Sequence, residues 1–139
     1  MNRKKTVIIL FLCCCSCASK AAVRESNYFV YLTGGSKYFL LPAGYIENTM
    51  DTAQRVCAKY DGKDYFFNAW AKADTVGIEM ILLNELGVNM GELSYKGGLV
   101  SFSSAVFPKS LKPEYIIADF QLCFYNTSAI LWKVISSEK

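Results

Sequence analysis

The chain has 139 residues, a formal net charge of +3, six Cys and no His. That length suits one ordinary domain, and the missing His excludes histidine-based triads, histidine zinc sites and a histidine general base. With 53% hydrophobic and 19% charged residues, the composition is neither that of a disordered chain nor that of a nucleic-acid binder.

The N-terminus carries Arg3, Lys4 and Lys5, then an apolar run over 7–15, then small residues. The run is too short to cross a hydrocarbon core of roughly 30 Å, so it reads as a secretory signal peptide and not as a transmembrane anchor. Four of the six Cys crowd into 13–17, where no folded domain uses them as a disulfide framework. This segment resembles the lipobox of bacterial lipoproteins, in which small residues precede a Cys that is acylated and becomes the mature N-terminus. The resemblance makes 1–16 the signal peptide and Cys17 the lipidated residue, with Ser16 before it and Ala18 after it. Cys15 also fits, with Leu12 in the usual leucine position, and an ordinary signal peptide cut after Ala21 stays open. The residue after Cys17 is not Asp, which resembles lipoproteins sorted to the outer membrane. The expected location is therefore the outer membrane, lipid-anchored and facing the periplasm, because two or three acyl chains hold durably where one is marginal. Losing Arg3, Lys4 and Lys5 leaves twelve basic against twelve acidic side chains, so nothing in the mature charge calls for nucleic acid.

Residues 17–27 are small and polar and read as a tether, with one domain over 28–139. Short strands are predicted at 28–32 and 37–41, separated by the turn Thr33-Gly34-Gly35-Ser36 and stopped by Pro42. The run 50–60 has strand length, although a helix also fits it. Asp61-Gly62 is a two-residue hairpin signal. The run 64–73 alternates Tyr65, Phe67, Ala69 and Ala71 against Phe66, Asn68, Trp70 and Lys72. Further strands follow at 76–83, with Ile78, Met80 and Leu82 on one face, and at 90–96 and 99–106, joined by Gly97-Gly98. Consecutive strands with tight turns predict an antiparallel meander. Several are apolar on both faces, which calls for a covering element. Pro108 and Pro113 end the meander, and 114–125 has helical spacing. Ile116, Ile117, Phe120, Cys123 and Phe124 fall on one side, with Glu114, Ala118, Gln121 and Tyr125 on the other. Asn126-Thr127-Ser128 supplies cap residues for a second helix over 129–132; the same residues match a glycosylation sequon, read as chance. Cys57 falls on a strand and Cys123 on a helix, and geometry decides whether they bridge. No metal constellation is spaced along the chain.

The pieces Leu40-Leu41-Pro42, Ala53-Gln54-Arg55-Val56, Lys96-Gly97-Gly98 and, most specifically, the run from Pro113 through Asp119-Phe120-Gln121-Leu122 resemble a family of uncharacterised bacterial lipoproteins. That family is similar to the LolA/LolB lipoprotein carriers, and some members are encoded beside fatty-acid-like or aryl polyene biosynthesis genes. The resemblance spans about 38–132. It implies an α+β, mainly β fold: a curved antiparallel half-barrel with a helical plug near the C-terminus, enclosing an apolar cavity that receives acyl chains. It also implies further strands after the helices, and only a few residues follow Trp132, so either a C-terminally short member or a less closed barrel is expected.

Three functions are weighed. A carrier of a lipid or other hydrophobic ligand needs a dry cavity, a lid and an anchor, but no acid or base. Its expected lining is Tyr65, Phe67, Trp70, Ile78, Met80 and Leu82, with Ile116, Ile117 and Phe120 from the lid. An anchored scaffold or inhibitor binding a protein partner would instead show a filled core and an exposed loop such as 84–89. An enzyme is not expected, because Cys57 has no His to activate it. Asp119 and Gln121 read as structural residues of the helix, Asp119 by hydrogen-bonding loop backbone. No cofactor and no nucleic acid are expected; the partners are a membrane, reached through the acyl chains, and an acyl ligand, with the protein as a monomer.

Overall fold

The computed structural model describes residues 26–136. Seven strands precede two helices: β1 (Phe29–Tyr31), β2 (Lys37–Phe39), β3 (Met50–Tyr60), β4 (Lys63–Ala73), β5 (Gly77–Leu83), β6 (Asn89–Lys96), β7 (Leu99–Ser103), α1 (Pro113–Phe124) and α2 (Thr127–Ser136). The fold is mainly β, with two antiparallel sheets. β1 and β2 form a hairpin, and β3 to β7 form a meander in chain order. The larger sheet is open, since β3 and β7 do not pair with each other. The expected signal peptide, with Cys15, Cys17 and Ala21, lies outside the described residues.

Local chemistry sets the meander. Asp61 and Gly62 both take positive φ, 49° and 73°, and Gly97 and Gly98 do the same at 56° and 78°. Two successive left-handed residues match the twist of a tight hairpin, so these dipeptides fix the β3–β4 and β6–β7 registers. At the β4–β5 turn the Asp74 carboxylate accepts the backbone N–H groups of Val76 and Gly77. Those two bonds hold its carboxyl below the usual carboxylate range. In the sheet register Phe67, Ala69, Ala71, Ile78, Met80, Leu82, Leu93 and Tyr95 share one face, and all are buried. The period of two that marks a one-sided sheet holds along β4 to β6.

α1 covers that face, rotated from its sequence-predicted orientation. Ile117, Ala118, Phe120 and Gln121 are buried, while Cys123 is exposed. Gln121 explains the rotation. Its Oε1 accepts the Leu41 N–H at 2.9 Å and the Tyr38 hydroxyl at 3.0 Å, and its Nε2 donates to the Leu41 carbonyl at 2.8 Å. The amide thereby satisfies both backbone groups of Leu41, a residue beyond the end of β2, and joins the small hairpin to α1. The hydroxyls of Tyr95 and Tyr125 are buried in the same cluster and make no hydrogen bond of standard geometry. Desolvation raises the pKa of Tyr38, Tyr95 and Tyr125.

Some boundaries move. Ser26 belongs to the fold and not to a tether: it is buried, donates to the Gly98 carbonyl and accepts the Tyr28 N–H. β7 stops at Ser103 because the Ser104 hydroxyl oxygen accepts the N–H groups of Val106 and Phe107, turning the chain. Gly91 permits this turn, since a Cβ there would sit 2.9 Å from the Ser104 Cβ. α2 is longer than 129–132, and Asn126 caps it by accepting the N–H groups of Ser128 and Ala129. Cys57 and Cys123 are free thiols, both exposed.

Candidate functional site

A groove of about 750 Å³ opens between the β3–β4 end of the sheet and α1. β4 contributes Tyr65, Phe67 and Ala69 from alternate positions, and β5 contributes Met80 and Leu82. Small Ala69 beside two aromatic rings leaves the space that a larger residue would fill. The wall on the helix side is Tyr115, Ile116 and Asp119 of α1 with Lys112, its N-cap residue, one stripe at i, i+3, i+4 and i+7. Helical spacing therefore splits α1 into two working faces: 117, 118, 120 and 121 hold the core, and 112, 115, 116 and 119 face the groove.

Phe107 closes one side. Its ring lies 5.6 Å from Tyr65, 5.6 Å edge-on from Phe67 and 6.1 Å from Phe102, centroid to centroid. Such tilted and edge-on pairs are the favoured aromatic geometries. At the rim, the Tyr60 hydroxyl donates to Ser110 Oγ at 3.2 Å, linking β3 to the 104–112 segment. Asp119 is the acidic side chain of the wall and makes no hydrogen bond or ion pair among the described residues. Lost solvation beside the apolar wall pushes its carboxyl pKa up.

Of the residues expected to line a cavity, Tyr65, Phe67, Met80, Leu82 and Ile116 meet in this groove. Four do not. Trp70 stands on the opposite face of the sheet, half-exposed, with its indole N–H donating to Asp51. It falls at the odd step of the β4 alternation from Tyr65 and Phe67, so the period of two forbids it the groove. Ile78 and Ile117 have no exposed surface, and the buried Phe120 ring packs at a tilt against Phe124, 4.7 Å between centroids. These three are packing residues. Asp119, expected to bond loop backbone, faces the groove instead, and Gln121 carries the structural role. Phe107 and Tyr115 are groove residues that the sequence reading missed. Tyr115 follows from the i, i+3, i+4 stripe once α1 is rotated. Phe107 offered only a weak signal, an aromatic residue just before Pro108.

A second hollow of about 880 Å³ lies beside α2 and the turn Ala43–Tyr45. Its walls mix Glu47, Asn126, Ser128 and Lys133 with Ile46, Ala129 and Trp132. Among the described residues no group of three or more His, Cys, Asp or Glu side chains gathers to hold a metal. No helix among them is long and apolar enough to cross a membrane.

A family model described as a protein of unknown function (DUF3261) matches residues 51–133. The match takes in the whole five-stranded sheet but for Met50, together with α1. No curated protein and no solved structure matches the chain.

Proposed function

We propose that this chain, which belongs to the DUF3261 family of proteins of unknown function, is a membrane-anchored carrier that binds the acyl chain of a lipid or a similar hydrophobic ligand in the β4–α1 groove. The observation that carries the reading is the groove itself: about 750 Å³, walled by Tyr65, Phe67, Met80, Leu82, Phe107 and Ile116. That volume suits a small-molecule site, and such sites are mostly apolar with a few polar groups that set orientation. Lys59, Lys112 and Asp119 supply the polar groups here. An apolar chain in the groove gains roughly 25 cal/mol for each Å² removed from water, and no acid–base chemistry is required. The absence of His from the whole sequence agrees with a non-enzymatic role.

The same proposal places Cys17 as the acylated residue and the protein on the periplasmic side of an outer membrane. A similarity to the LolA/LolB carriers belongs to this proposal as well, supported by the antiparallel sheet and its helical cover. The test is titration with a fluorescent fatty acid. Tyr65→Asp and Ile116→Asp place a charge in the apolar wall and are expected to weaken binding at least tenfold, while Leu99→Asp on the exposed outer face leaves it unchanged. Equal binding by all four proteins removes the groove from the account.

One observation favours a second reading, a scaffold that binds a protein partner. In the 84–89 loop, Leu86 is 87% exposed and Val88 57% exposed. The Asn84 side-chain oxygen accepts the N–H groups of both, so the two apolar side chains are displayed on a rigid turn.

A further inference from the structure

β3 is an edge strand of eleven residues that pairs on one side only, with β4. The opposite edge, β7, has five residues and lies against α1. A long unpaired edge is a template for another strand, and proteins usually blunt it with charge, proline or a bulge. The ladder between β3 and β4 is continuous from Met50 to Tyr60, without a bulge, and the strand holds no Pro.

The charges on the outer face of β3 are arranged as complements. Asp51 and Arg55 stand four residues apart, with Ala53 midway between them. Arg55 makes no ion pair or hydrogen bond among the described residues. Asp51 accepts the Trp70 indole N–H, so the half-exposed Trp70 leans from β4 toward the edge. Trp70 is also the direct cross-strand neighbour of Ala53.

We propose that β3 pairs antiparallel with β3 of a second copy of this chain, with the twofold axis through Ala53. In that register Asp51 of each copy faces Arg55 of the other, giving two reciprocal ion pairs in place of two unpaired guanidiniums. On the inner face Met50 meets Val56 and Thr52 meets Gln54, apolar with apolar and polar with polar. The two small Ala53 side chains leave room for a Trp70 ring on either side, and that burial adds apolar area to the joint. Other registers are poorer. Centring on Arg55 sets Asp51 against Lys59 but opposes two guanidiniums at its middle, and centring on Cys57 sets Arg55 against Lys59. The joint uses 50–56, so of the groove residues on β3 it takes in Val56 and leaves Cys57, Ala58, Lys59 and Tyr60 outside. The two copies then share one ten-stranded sheet, and this dimer takes the place of the expected monomer.

Sedimentation of the full-length chain in detergent tests the proposal. The expected mass is that of two chains. R55D sets two carboxylates opposite each other across the joint and is expected to raise the dimer dissociation constant at least tenfold; the exchange D51R/R55D restores the dimer. A wild-type chain that stays single at every concentration overturns the proposal, and so does R55D with undiminished association. Cross-linking gives a reading independent of the charge variants. In a chain carrying C57S and C123S, adding A53C is expected to yield a disulfide-linked dimer under oxidation, above the level without it. Failure to form that dimer also overturns the proposal, because the register puts the two substituted positions face to face.

Discussion

Gln121 and Asp119 sit two residues apart on α1 and have opposite roles that follow from where the helix turns them. Gln121 is fully buried and bonds three groups that would otherwise lack partners. Gln121→Leu keeps the volume and strands the Leu41 N–H, the Leu41 carbonyl and the Tyr38 hydroxyl. Each buried, unsatisfied group costs about 1–3 kcal/mol, so urea unfolding is expected to show a loss of about 3–9 kcal/mol for the three groups together. A variant within about 1 kcal/mol of wild type would show that the amide does not hold the hairpin. Asp119 lacks such partners, and desolvation raises its pKa in the folded protein. A raised acid pKa means that the folded state holds its proton more tightly than the unfolded chain does. The charged carboxylate therefore destabilises the fold above the folded pKa, and this penalty vanishes as pH falls below the ordinary carboxyl range. Asp119→Asn is expected to raise the urea midpoint at about pH 7 and to leave it unchanged near about pH 3. A gain that persists in acid would assign the effect to something other than ionisation.

At the scale of elements, the strands were legible because turn chemistry and period-two alternation agree. Asp61-Gly62 and Gly97-Gly98 take the positive φ angles that such hairpins need, and the β4 alternation separates Phe67 from Trp70 as observed. Helix rotation was not legible. The helical spacing sets Gln121 on the side away from Phe120, as a structural residue without a partner, and only the three-dimensional position of Leu41 reveals why an amide belongs in the core. That single misplacement also hid the 112, 115, 116 and 119 stripe and moved Ile117 and Phe120 from cavity wall to packed interior. Two truncations separate wall from interior. Phe120→Ala removes a ring packed against Phe124 and is expected to cost about 3–5 kcal/mol, the range of a filled core site. Tyr65→Ala opens a partly exposed wall, so its cost is expected to be well below that range, with loss of fluorescent fatty-acid binding. If the two truncations cost the same and binding survives both, the division of α1 and β4 into wall and core is wrong.

For the whole molecule, the antiparallel, mainly β architecture followed from patterning, and family membership now rests on residues 51–133. The groove was half legible: four of its side chains were visible as an alternating strand face and Ile116 as a helix position, while Phe107 reaches it through the Ser104 turn, which depends on contact with Gly91 and Met90. Anchoring is tested separately from binding. Cys17→Ala is expected to abolish acyl labelling and to release the protein from the membrane fraction; retained labelling would point to Cys15. The central claim is that the β4–α1 groove holds an acyl chain. Native mass spectrometry of the protein purified from its own membranes tests it most directly. The expected result is a bound mass, beyond the chain and any N-terminal acyl groups, that fragments to an acyl-containing lipid and is missing from Ile116→Asp. A spectrum with no bound lipid in the wild type, or the same bound lipid in Ile116→Asp, would contradict it.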